Sequence, residues 1–122
     1  ARLVSDNTTV VDADVLKAGH HGSRTSSSSP FLNAVTPEVV IISLGEGNTY
    51  GHPHQEVLDR ISAALAEHLF RTDVDGTITL TVNGSSSEYY SILTENNEKT
   101  TTVVVDDHYD VPESEMLCCF QQ

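Results

Sequence analysis

Pro37-Glu38-Val39-Val40-Ile41-Ile42-Ser43-Leu44-Gly45 is the stretch that decides the architecture. Between a proline and a glycine it runs through β-branched and other apolar residues with almost no alternation of apolar and polar positions. A strand with one wet face alternates, whereas a strand buried on both faces does not, and strands of the second kind belong to parallel sheets covered on each side. The run therefore predicts a central parallel strand over Val39 to Leu44.

Working upstream, Val15 to Ala18 reads as a second short buried strand, and Pro30 to Val35 as a short helix whose first turn tolerates the proline and which Pro37 stops. Downstream, Val57, Leu58, Ile61, Ala64, Leu65 and Leu69 recur at helical spacing, which predicts a helix over Pro53 to His68. Pro53 suits its first turn, and Glu56 suits the positive end of its dipole. Beyond it the period becomes two. Thr77-Ile78-Thr79-Leu80-Thr81-Val82 alternates strictly between Asp75-Gly76 and Asn83-Gly84, and Glu88 to Thr94 follows, a pattern of antiparallel hairpins. Thr100 to Val105 suits a further strand. Asp106 to Gln122 reads as an acidic tail ordered through a partner, with Cys118 and Cys119 as tail residues. The expected class is α/β, a mixed sheet with antiparallel hairpins at its C-terminal end, in a domain over residues 1–94 followed by an extra strand and tail over 95–122.

At 122 residues the chain has room for one domain. Its formal net charge is −12, and Lys17 and Lys99 are its only lysines, which excludes binding to nucleic acid by phosphate neutralisation alone. Chemistry on a phosphate would need a metal ion to supply the positive field. No apolar run approaches the roughly 18–20 residues that span a bilayer, so the chain as given is expected to be soluble. Adjacent cysteines offer neither a disulfide framework nor zinc-site spacing.

Four of the six histidines lie in two glycine-bearing loops, His20 and His21 after the first predicted strand, His52 and His54 after the central one. Ligands of open α/β sheets bind outside the carboxyl ends of the strands, so both pairs are aimed at one region. Imidazole is a common zinc, manganese and iron ligand, which makes a metal site the chemical hypothesis and hydrogen-bonded loop histidines the plain one. Neighbouring residues of an extended chain point in opposite directions, so one of His20 and His21 would bind directly. His52 or His54 could orient the loop or donate a proton to a leaving group. Asp12, Asp14, Asp73 and Asp75 are explained first by turn formation, and Ser23, Thr25 and Ser26 to Ser29 by a flexible loop that could meet phosphate oxygens. His108 among Asp106, Asp107 and Asp110 reads as part of a solvated acidic tail.

Asp14 to Ser27, with its LK-x-x-HHGS core, then Pro37 to Ser43, then Asn48-Thr49-Tyr50-Gly51-His52-Pro53-His54, then Arg71-Thr72-Asp73 with Gly76-Thr77-Ile78, taken in this order, resemble the C-terminal half of a metallo-β-lactamase-fold domain of the ComEC competence type. The resemblance covers about residues 10–84. It implies an αββα sandwich with a two-metal site at one edge, zinc or manganese, that activates water to hydrolyse phosphodiesters in association with DNA uptake. By the same resemblance, His20 or His21 is a metal ligand, His21 being favoured, His52 and His54 are catalytic, and Ser23, Thr25 and Asn48 contact substrate. It also implies an extracytoplasmic or membrane-associated location.

The family's H-x-H-x-D-H motif lies upstream of the HHGS loop, where this sequence has nineteen residues and no such motif. The chain is thus expected to be a fragment, or to gain the missing N-terminal half or a second copy of itself as partner, and to be inactive alone. The alternative is a non-catalytic interaction or dimerisation module that uses the strand edge left open, as a homodimer.

Overall fold

The computed structural model describes residues 11–64, 66–82, 89–96, 99–104 and 116–120, with backbone alone at 89–90, 99, 103–104 and 116–120. Strands β1 (Val15–Lys17), β2 (Val39–Ile42) and β3 (His68–Arg71) form a parallel sheet in the order β1-β2-β3. Val15 pairs with Val39, and Val39 with His68. As the unbroken apolar run requires, β2 is central and all four of its residues are fully buried. Its two faces serve different layers. Val40 and Ile42 pack with Ala18, Leu32, Leu44, Val57 and Ile61, beneath helices α1 (Ser29–Val35) and α2 (Gln55–Ala63). Val39 and Ile41 pack with Ile78, Leu80, Val82 and Ile92 of a second sheet. Each such side chain contributes about 1.5–3 kcal/mol relative to an exposed position.

That second sheet is antiparallel throughout, in the order β6-β5-β4-β7, from β4 (Ile78–Val82), β5 (Tyr89–Thr94), β6 (Lys99–Val104) and β7 (Met116–Phe120). The strict alternation of β4 appears as alternate full and partial burial. The expected parallel strands and C-terminal hairpins are both present, divided between two sheets. The described residues stack as helices, parallel sheet and antiparallel sheet.

Three local expectations are corrected. The predicted Pro53–His68 helix is Gln55–Ala63: the His54 amide donates to the Gly22 carbonyl (3.0 Å), which holds His54 extended, and the chain leaves the helix so that His68 can pair with Val39. Leu69 consequently lies in β3 and is 40% exposed. Asp75-Gly76 is no hairpin turn, because β3 and β4 belong to different sheets. It closes a single helical turn, α3 (Thr72–Asp75), after which Gly76 takes φ 71 and ψ −147, a conformation that only glycine adopts readily. Cys118 and Cys119 are not tail residues but members of β7, opposite Leu80 and Thr79. The Asn83-Gly84 turn and the acidic stretch 105–115, with His108, lie outside the described residues.

Candidate functional site

The first histidine pair lies in a 3-10 turn, Gly19–Gly22, directly after β1. His20 (φ 47, ψ 43) and His21 (φ 52, ψ 31) are both left-handed, a conformation that costs about 1–2 kcal/mol per non-glycine residue. The two side chains therefore do not alternate as they would on an extended chain, because the backbone is coiled. Both residues are exposed. His21 donates from Nδ1 to the Ser43 carbonyl, just past the end of β2. A carbonyl only accepts, so the proton is on Nδ1 and the lone pair of the neutral ring is on Nε2. This is the tautomer that metal-ligating histidines adopt when a backbone carbonyl orients them.

The second loop is closed by Asn48. Its Nδ2 donates to the carbonyls of His52 (2.8 Å) and Gly45 (3.3 Å), and its Oδ1 accepts the His52 amide (3.0 Å). The His52–Pro53 peptide bond is cis. The His52 ring meets that of His20 edge-on at 5.6 Å and that of His54 at 4.7 Å, while Tyr50 stacks on it at 5.8 Å and 27°. Desolvation, then the neighbouring His54, His20 and His21 rings and Arg24, hold the His52 pKa below the ordinary imidazole value. His54 accepts the Arg24 amide on Nδ1 (2.9 Å). Its neutral form therefore carries the proton on Nε2, the reverse of His21.

Close packing joins the loops. A Cβ on Gly22 (φ +76) would stand 2.7 Å from Pro53 Cβ and 3.4 Å from Ile42 Cγ2, so this approach requires a glycine. Three imidazoles, those of His20, His52 and His54, are thereby brought together at the carboxyl ends of two adjacent parallel strands, with His21 anchored beside them on Ser43.

The serine segment is pinned, contrary to the expected flexible loop. Arg60 of α2 donates to the carbonyls of Ser26 (2.7 Å), Ser27 (3.2 Å) and Arg24 (2.8 Å). Ser26 Oγ reaches the Gly19 carbonyl (2.7 Å). Ser23 is buried and its hydroxyl lies 3.1 Å from that of Thr25, which is itself exposed. Asp73 pairs with the Arg71 guanidinium, Asp75 accepts the Arg71 amide (2.8 Å) and Asp12 accepts the Thr36 hydroxyl, so each serves a local turn or tie. Sequence reasoning missed Thr72, whose buried hydroxyl donates to the Leu44 carbonyl (2.7 Å) and accepts the Leu44 amide (2.8 Å), bracing the chain next to the Ser43 carbonyl that orients His21. It also missed Arg60 and Tyr50; an aromatic in an otherwise small, polar loop was the available signal for the latter.

Among the described residues no group of three or more His, Cys, Asp or Glu side chains is disposed to hold a metal ion. His21 offers one nitrogen of the right kind, and the described residues do not by themselves fit a metal centre.

Fold and site together define an α/β domain with a histidine-lined edge at the ends of its parallel strands. The chain is 47% identical over 68 residues to ComE operon protein 3 of Bacillus subtilis, a match covering 56% of this chain and 9% of that protein. It is 48% identical over 66 residues to Competence protein ComA of Neisseria gonorrhoeae (54% and 9%), and 42% identical over 64 residues to Recombination protein 2 of Haemophilus influenzae (52% and 7%). These similarities support kinship with ComEC-type competence proteins over about half of the chain, which spans under a tenth of the length of each of these relatives. No protein-family model and no solved structure matches the chain.

Proposed function

We propose that this chain carries one face of a metal-dependent phosphodiesterase centre in a ComEC-like, DNA-uptake-associated protein. The observation that carries the reading is the convergence of the two histidine loops, with His21 held in the tautomer of a metal ligand. Helix, parallel-sheet and antiparallel-sheet layers are three of the four in a metallo-β-lactamase-like αββα sandwich. An N-terminal half that carries the upstream H-x-H-x-D-H motif is the source of the fourth layer and of the remaining ligands for zinc or manganese. In this reading His21 is the ligand of its pair, and His54, whose neutral ring presents its N–H on Nε2, faces the leaving group as a hydrogen-bond donor. His52 lines the substrate side. Thr25 contacts substrate at the exposed rim, Asn48 acts by holding the His52 backbone, and Ser23 acts by holding Thr25. The location that goes with this reading is extracytoplasmic or membrane-associated.

The test measures metal content and hydrolysis of a phosphodiester with zinc or manganese. The 122-residue chain alone is expected to retain no stoichiometric metal and to show no turnover. In a protein that carries the upstream motif, His21→Ala is expected to weaken metal retention about 10-fold or more. Turnover by the chain alone, or retention unchanged by His21→Ala, would overturn the reading. A second reading, a non-catalytic dimerisation module, is favoured by β1 and β3, which form the two edges of the parallel sheet among the described residues. It predicts a concentration-dependent dimer and no effect of His21→Ala.

A further inference from the structure

We infer that Tyr50 is a stacking ledge for a nucleobase of single-stranded nucleic acid, an inference that rests on the phosphodiesterase reading and names the substrate's recognised part. Tyr50 is 77% exposed, the most exposed large apolar side chain among the described residues. One face of its ring lies against His52 at 27°, which leaves the other open to solvent. The support is braced: Asn48 bonds both the amide and the carbonyl of His52, and the His20 and His54 rings flank its imidazole. An aromatic held in one orientation before the ligand arrives loses little entropy on stacking, which is the condition under which a base platform is effective.

Charge points to the base rather than the phosphate as the part gripped. The chain has a net charge of −12. Near the site, the Arg60 guanidinium is occupied by three carbonyls and that of Arg71 by Asp73. Arg24, 4.0 Å from Glu56, and Lys17 at the end of β1 are the cations here that remain exposed. A polyanion therefore meets little positive field here, and the neutral π-face of a base is the surface this loop can hold without one. The bases of a duplex are stacked on each other, so the occupant is a single strand.

The experiment compares an oligo-thymidine strand with an abasic strand of equal length, at low ionic strength, against the full chain. No tryptophan occurs in the sequence, so Tyr50→Trp introduces a single reporter. Its emission is expected to be quenched by the thymidine strand and not by the abasic one. Tyr50→Ala is expected to weaken thymidine-strand binding about 10-fold, with abasic binding unchanged and with Tyr50→Phe retaining the affinity. Unchanged emission, or equal losses on both strands, would overturn the ledge while the phosphodiesterase reading stands. A wild-type chain that binds neither strand would overturn the ledge, and the phosphodiesterase reading is then decided separately by the effect of His21→Ala on metal retention.

Discussion

Replacing Thr72 with valine keeps its shape and removes its hydroxyl. In the native fold that hydroxyl serves both polar groups of Leu44, donating to the carbonyl at 2.7 Å and accepting the amide at 2.8 Å, with Thr72 fully buried and Leu44 only 5% exposed. Each buried group left without a partner costs about 1–3 kcal/mol. The two together cost about 2–6 kcal/mol, and the more apolar side chain returns about 1 kcal/mol. A net loss of about 3 kcal/mol, at about 4 °C per kcal/mol for a domain of this size, lowers the melting temperature by about 12 °C. Thr72→Ser keeps both bonds and loses one methyl, for a cost of about 1 kcal/mol. Urea unfolding followed by circular dichroism measures both variants. The brace also ends beside Ser43, whose carbonyl fixes the His21 ring, so Thr72→Val should shift the His21 imidazole resonances while Thr72→Ser leaves them in place. If Thr72→Val is as stable as Thr72→Ser, the hydroxyl does not hold the strand end, and the link from Thr72 to His21 is wrong.

Two further changes test other parts of the fold. Burial, then repulsion from Asp14, Asp12 and Glu67, keeps the Glu38 carboxyl above its ordinary 4.5, and its Oε2 has no hydrogen-bond partner among the described residues. Stability from this group is complete below pH 4.5 and is lost as pH rises through the raised value, so Glu38→Gln should raise the melting temperature by a few degrees at pH 7 and leave it unchanged below pH 4.5; an equal effect at both pH values contradicts this. Gly22→Ala combines a positive φ with a Cβ 2.7 Å from that of Pro53, a loss of about 2–5 kcal/mol in urea unfolding, whereas Gly45→Ala, with nothing within 4 Å, should change stability by under about 0.5 kcal/mol.

Much of the fold was legible in local pattern. The unbroken run at β2, the period of two in β4, the proline near the start of α1 and the glycine-bearing histidine loops after two strands all follow from how a few neighbouring residues meet water, and such patterns survive in any context. So did the direction of the site, because parallel strands aim their following loops at one edge. What pattern could not give was decided by bonds between distant segments. Helical spacing in 64–69 lost to the pairing of His68 with Val39, and Asp75-Gly76 lost its hairpin because Ile78 starts a different sheet. Cys118 and Cys119 joined that sheet because β4 had an edge to fill. At the site, the sequence by itself determined which imidazoles are present and that they meet. Only the tertiary structure decided their tautomers, since a proton settles on the nitrogen facing a carbonyl and leaves the one facing an amide, and both partners come from the far side of a loop.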